Sequence, residues 1–156
     1  MMQVAFVFLI FLVNVMSIHA GTDFDKTWTF TCPHGQSINH ISSVHSNRHE
    51  DRSWTFRCRY SSKIAATCYW TGWVNAYDQE LIYQCPNGVI AGVYSKHSNK
   101  REDRRFKFRC CRTKKNCQRD CSWTAHVNNW DGYMNYNIPL TKFLVGAQSL
   151  HDNGKE

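Results

Sequence analysis

Between Ser53 and Cys58, and again between Arg105 and Cys110, apolar and polar side chains alternate one for one. Trp54, Phe56 and Cys58, or Phe106, Phe108 and Cys110, fall on one side, and Ser53, Thr55 and Arg57, or Arg105, Lys107 and Arg109, on the other. A period of two is that of a half-buried β-strand. Two shorter apolar stretches, GVIAGVYS from Gly88 to Ser95 and KFLVGAQS from Lys142 to Ser149, have turn residues such as Pro86, Asn87 and Gly88 close by and also read as strands. The polar HSNRHED segment, from His45 to Asp51, has the Asn, Ser and Asp content of a turn leading into the first alternating run. No window sustains a helical apolar stripe between caps. The pattern predicts an all-β chain with long polar loops.

The pattern also repeats. Asp25, Phe30, Cys32, Pro33 and Gly35 match Asp78, Tyr83, Cys85, Pro86 and Gly88, and HSNRHEDRSWTFRC matches HSNKREDRRFKFRC, which pairs His45 with His97, Asp51 with Asp103, Arg52 with Arg104 and Cys58 with Cys110. Cys68, Trp70, Val74 and Asn75 then match Cys121, Trp123, Val127 and Asn128. A third copy begins at Asp131, Tyr136 and Pro139 and continues through Gly146, Ser149 and His151. The expected organisation is therefore one domain over 21–156, built from internal repeats of about 53 residues: units at about 25–77 and 78–130 and a truncated one at 131–156.

Residues 1–20 contain no Lys, Arg, Asp or Glu and hold an apolar run from Val4 to Val15. That run is too short to span a bilayer and has the form of a secretory leader, with Ala20 suited to cleavage before Gly21. No later run reaches spanning length, so membrane insertion is not expected. In an oxidising compartment the eight cysteines are expected to form disulfides. The adjacent Cys110 and Cys111, and Cys117 and Cys121 four apart, have neither redox-motif nor zinc-ligand spacing. Repeat symmetry pairs Cys32 with Cys58 and Cys85 with Cys110 and leaves Cys68 for Cys111, although the two adjacent cysteines can exchange partners without harm to the symmetry.

The formal charge is +7, which directs a secreted protein toward acidic partners. Much of it lies between Lys96 and Arg119. Lys96, Lys100, Arg101, Arg105, Lys107, Arg109, Arg112, Lys114 and Lys115 form the candidate glycan-binding set, the bland alternative being a solvated strand face. Ser53 and Thr55 stand where Arg105 and Lys107 do in the other unit, so the fold itself does not demand cations there. The recurring Asp-Arg pair fits an internal ionic support better than a ligand fork. His45, His97 and His151 read as loop residues bonded to backbone rather than as metal ligands. Among the tryptophans, Trp54, Trp70 and Trp123 are assigned to the core, while Trp73 and Trp130 are candidates for exposure and for stacking on sugars. No hydrolase, zincin or phosphate-loop motif occurs, and no enzyme activity or cofactor is expected.

Asp51, Arg52, Trp54, Phe56 and Cys58, then Asp103, Arg104, Phe106, Phe108, Cys110 and Cys111, with a Cys-x-Trp after each block, resemble the dermatopontin family. The similarity runs from about Asp25 to Glu156. The resemblance implies a secreted, non-catalytic protein of the extracellular matrix that binds sulfated glycosaminoglycan or proteoglycan and supports collagen fibril organisation or cell adhesion. Invertebrate relatives include agglutinating and cell-aggregating proteins, so a soluble defence lectin is the alternative. The acidic, tyrosine-rich amino-terminal stretch of vertebrate members is absent, and the third repeat is incomplete. Partners are thus expected among acidic polysaccharides, matrix proteins and cell surfaces, not nucleic acid. The first two units lead through Glu50 and Glu102 into Asp-Arg, whereas the third reaches HDNGKE. The natural chain is therefore expected to continue with Asp-Arg and an aromatic alternation, with partners there for Cys117 and Cys121.

Overall fold

Two long hairpins carry the alternating runs. The computed structural model describes residues 21–114, 121–152 and 154; residues 1–20, expected as a leader, and Lys115 and Cys117 lie outside them. β1 (Trp28–Thr31) precedes the hairpin of β2 (Gln36–Ser46) and β3 (Asp51–Tyr60). After β4 (Ile64–Trp70) and β5 (Leu81–Gln84) comes the hairpin of β6 (Gly88–Ser98) and β7 (Asp103–Thr113), and β8 (Met134–Asn137) and β9 (Gly146–Ser149) complete the order. No helix forms among the described residues. In both hairpins four residues make the turn, Glu50 (φ 41°) and Glu102 (φ 49°) enter the returning strand from the left-handed region, and a bulge interrupts the ladder, at Ile38/His40 and at Ile90/Gly92.

The short strands connect segments far apart in the sequence. β1 runs antiparallel to β6 with Trp28 opposite Ser95, β5 runs against β9 with Leu81 opposite Ser149, and β8 runs against β2 with Met134 opposite Ser43. Ser43, Ser95 and Ser149 occupy matching places, so each short strand lies on the long strand of another segment in one register, and the three pairings close a ring. The resulting sheets have the orders β1-β6-β7-β4, β3-β2-β8 and β5-β9.

The inward side of this ring is the alternation predicted from sequence. Phe56, Phe108, Ile38, Val89, Ile90 and Cys110 are buried, and Trp28, Phe30, Trp54 and Phe106 pack against them. The rings of Trp28, Phe30 and Phe56 form one cluster, with Phe30 and Phe56 stacked at 4.9 Å and Trp28 and Phe56 at 5.7 Å. Disulfides join Cys32 to Cys58, Cys85 to Cys110 and Cys68 to Cys111. The first two tie the connection ahead of each hairpin to its returning strand; the third fastens β4 to the outer edge of β7. Cys121 is free and exposed.

Two expectations are corrected. Only Gly146–Ser149 of the KFLVGAQS stretch is strand; before it, the carbonyls of Leu144 and Val145 accept single bonds from Ile90 and Cys85, which holds that segment across two elements rather than in one ladder. Trp70 and Trp123 are exposed, not core. The register explains Trp70: Cys68 lies opposite Cys111 and Trp70 opposite Arg109, so the Cys-x-Trp unit shares the outer side of β7 rather than that of Phe106 and Phe108.

Candidate functional site

The outer face of the β6–β7 hairpin gathers cations. Arg105 lies opposite Lys96, Lys107 opposite Tyr94 and Arg109 opposite Gly92, and directly opposed residues present their side chains on one side of a sheet. Beyond β7, residues 71–75 are laced to its edge. Thr71 and Val74 donate backbone N–H groups to the carbonyls of Phe108 and Phe106, the Thr71 hydroxyl accepts from Phe108 N–H, and the Asn75 amide accepts from Phe106 N–H while donating to the Arg104 carbonyl. This lacing fixes Trp73 on the cationic side. The Arg105 guanidinium lies 3.9 Å from the Trp73 ring centre and the Lys107 ammonium 4.6 Å from the same centre, with Tyr77 and Tyr94 flanking at 5.2 and 5.8 Å.

Among the described residues neither Arg105 nor Lys107 has a carboxylate within salt-bridge distance, and Arg109 donates to the Cys32 carbonyl. The face is therefore a set of uncompensated positive charges stiffened by aromatic rings. A shallow cleft lined by Tyr69, Trp70, Trp73, Tyr83 and Pro86 adjoins it. Burial pushes the Tyr83 phenol up, and Tyr69 beside it adds to the shift.

The sequence-selected cations do not all converge. Lys96, Arg105, Lys107 and Arg109 share this face. Lys100 and Arg101 sit in the hairpin turn, where Arg101 is paired with Asp78. Arg112 lies at the other end of β7, opposite Gly88, and Lys114 follows it. Lys115 is outside the described residues. Sequence reasoning singled out Trp73 but missed Tyr77 and Tyr94; in Tyr94 the signal was available, since it alternates outward between Val93 and Ser95.

The Asp-Arg pairs act inside the fold, and not as neighbours. Arg104 donates Nε and Nη2 to the Asp51 carboxylate of the other hairpin at 2.5 and 2.6 Å and Nη1 to the Lys26 carbonyl at 3.0 Å. Arg52, at the matching place, donates to the Gly132 carbonyl; burial lowers its pKa, opposed by the nearby charges of Asp131 and Asp51. Burial raises the pKa of Asp103, partly offset by bonds from the Asp78 and Arg104 N–H groups and by His151.

The histidines face carboxylates, correcting the expectation of backbone-bonded loop residues. His97, a strand residue, lies 3.5 Å from Asp51 and 3.7 Å from Asp25; His151 lies 3.6 Å from Asp103 and 3.8 Å from Asp78; His45 lies 3.5 Å from Asp131 and 3.8 Å from Glu50. Asp78, Asp103 and His151 bring one ligand atom each within 4.8 Å of one another. In the sister cluster of Asp25, Asp51 and His97 the guanidinium of Arg104 supplies the cation.

The family model described as Dermatopontin matches residues 22–156. A hemagglutinin/amebocyte aggregation factor of Limulus polyphemus is 43% identical over 155 residues, covering 97% of this chain and 90% of the relative. A dermatopontin of Biomphalaria glabrata is 38% identical over 85% of this chain and 86% of the relative. Millepora cytotoxin-1 of Millepora dichotoma is 34% identical over 83% of this chain and 59% of the relative. No solved structure matches the chain. With the family match spanning both hairpins and the third segment, the chain belongs to the dermatopontin family.

Proposed function

We propose that this chain is a secreted, non-catalytic protein of the extracellular matrix that binds sulfated glycosaminoglycan or proteoglycan through the outer face of its β6–β7 hairpin, and so supports fibril organisation or cell adhesion. The observation that carries this reading is the placement of Arg105 and Lys107 on one Trp73 ring, with Lys96 and Arg109 on the same face and, among the described residues, no carboxylate at salt-bridge distance from Arg105 or Lys107. Like charges held together repel, and a polyanion relieves that repulsion while releasing its own counterions. Family membership supports the extracellular setting, and the apolar, uncharged leader over 1–20 supports export.

A second reading is that of a soluble agglutinin. It is favoured by the similarity to the Limulus hemagglutinin and by the aromatic cleft of Tyr69, Trp70, Trp73 and Tyr83, whose rings suit sugar stacking. Heparin and dermatan sulfate chromatography, run beside red-cell agglutination with sugar inhibitors, separates the two. Elution only at raised salt, with agglutination indifferent to neutral monosaccharides, supports the matrix reading. Passage through both columns together with inhibition by a neutral monosaccharide would overturn it in favour of the second.

A further inference from the structure

Three matching places exist for one ionic interlock, and the described residues complete one. Arg104 takes the Asp51 carboxylate and the Lys26 carbonyl, Asp51 also accepts from the Asp25 N–H, and His97 Nδ1 faces Asp51. At the second place the acidic half is present. Asp103 accepts from the Asp78 N–H, and His151 Nδ1 faces it, but among the described residues no Arg or Lys side chain reaches its carboxylate. At the third place the basic half is present. Arg52 holds the Gly132 carbonyl as Arg104 holds that of Lys26, with no carboxylate at salt-bridge distance among the described residues, and the contacts of His45 with Glu50 and Asp131 run through Nε2.

Asp25, Asp78 and Asp131 show that the three places share one backbone, since all three adopt left-handed conformations (φ 59°, 60° and 50°). The strands agree with the charges. β2 and β6 each carry a short strand on one edge and a hairpin strand opening Asp-Arg on the other. β9 carries β5 in the same register, and among the described residues no strand lies on its other edge.

We infer that the open edge of β9, with Asp103 and Arg52, is a docking site for an extended peptide segment that opens Asp-Arg and then alternates polar and aromatic residues. The arginine of that segment takes Asp103 and its aspartate takes Arg52, while its backbone extends the β5–β9 sheet. The occupant is specified by what covers the equivalent edge of β6, namely β7 beginning Asp103-Arg104, and by the complementary charges of the two half-sites. A largely buried carboxylate faced only by a histidine, and a half-buried guanidinium with no carboxylate at salt-bridge distance among the described residues, are costly, and one dipeptide in one orientation satisfies both. The inference does not depend on the glycan reading, because it involves no cation of the β6–β7 face.

The test is binding of the acetylated, amidated peptide EDRSWTFR, whose sequence is that of residues 50–57, against ERDSWTFR of the same composition and charge. The first peptide is expected to bind and to slow amide exchange in 146–149, and the exchanged peptide to bind roughly tenfold more weakly. Asp103→Asn is expected to abolish the penalty for replacing the peptide arginine by glutamine while keeping that for its aspartate. Equal affinities of the two peptides, no binding at millimolar concentration, or binding without protection of 146–149 would each overturn the inference. The peptide comparison on the unaltered protein decides even if the Asp103 variant fails to fold.

Discussion

Arg104 crosses from one hairpin to the other and closes a two-pronged bond on Asp51, with both side chains at least nine-tenths buried. Removing one member leaves the other charge buried without a partner, which costs about 3–5 kcal/mol, whereas a well-packed apolar pair in place of both costs far less. Asp51→Asn is therefore expected to lower stability by that amount in urea unfolding, and Asp51→Leu with Arg104→Met to lower it less than either single change.

The matching carboxylate behaves differently. Burial holds the pKa of Asp103 above the usual carboxylate range, so the folded chain binds this proton more tightly than the unfolded one. The stability given by the protonated form is complete below the ordinary carboxylate pKa and is lost as the pH rises through the raised value. Asp103→Asn is expected to gain stability relative to the parent at neutral pH and to show no advantage in acid. Urea midpoints at the two pH values check this, and a loss at neutral pH comparable to that of Asp51→Asn would refute it.

These two carboxylates show what the sequence could and could not reveal. The alternation through Trp54, Phe56 and Cys58 was legible because side-chain sides are set by a local period of two, and the cysteine pairs followed from the same repeat. The recurrence of the neighbouring Asp51 and Arg52 suggests one shared ionic support, although the same period of two sends neighbours on a strand to opposite sides. The actual partner of Asp51 is 53 residues away, a distance at which no local pattern speaks. Trp70 and Trp123 were misassigned because repetition was taken for burial, whereas the side Trp70 takes depends on the register of β4 against β7. Clustered cations were visible in the chain, but the fold sends Arg112 and Lys114 to one end and Arg105 and Lys107 to the other, beside Trp73 from a loop.

Trp70 instead covers a glycine. A Cβ on Gly92 would stand 2.8 Å from the Phe30 carbonyl oxygen, 3.0 Å from the Arg109 Cβ and 3.4 Å from the Trp70 ring. The backbone oxygen belongs to the paired strand β1 and cannot yield without loosening that ladder. Gly92→Ala is expected to cost about 1–3 kcal/mol as an overpacked site, read from the shift of the urea midpoint at unchanged slope. Gly146, with Trp123 at 3.1 Å and the Tyr83 carbonyl oxygen at 2.8 Å, should respond in the same direction.

The bridge between Cys68 and Cys111 spans 43 residues and fastens the edge strand β4. By the loop-entropy relation its loss costs about 4 kcal/mol. Replacing both cysteines with serine is expected to lower stability by that order and to speed amide exchange in 64–70 before the β6–β7 hairpin, because among the described residues β4 has no strand on its outer side. Uniform exchange across both elements would show that β4 is held by its ladder alone.

The cationic face yields the last prediction. Arg105, Lys107 and Arg109 lie opposite the buried Phe108 side, and Ser and Thr already serve at the places of the first two in the other hairpin, so replacing all three by Ser or Thr should leave folding intact. If they contact a sulfated chain, each lost contact removes one released counterion, worth roughly 0.7 in the slope of log affinity against log salt, and the triple variant should lose about two units. Arg112→Ser with Lys114→Ser changes the net charge almost as much, but at the other end of β7, so it should shift elution little. Trp73→Ala keeps every charge and removes the ring that holds Arg105 and Lys107 in place, at 3.9 and 4.6 Å. It should weaken binding at all salt concentrations without altering the slope, which separates a shaped site from a diffuse positive field. If elution followed net charge alone, with the two sets of cations interchangeable and Trp73 silent, the site would be no more than that field.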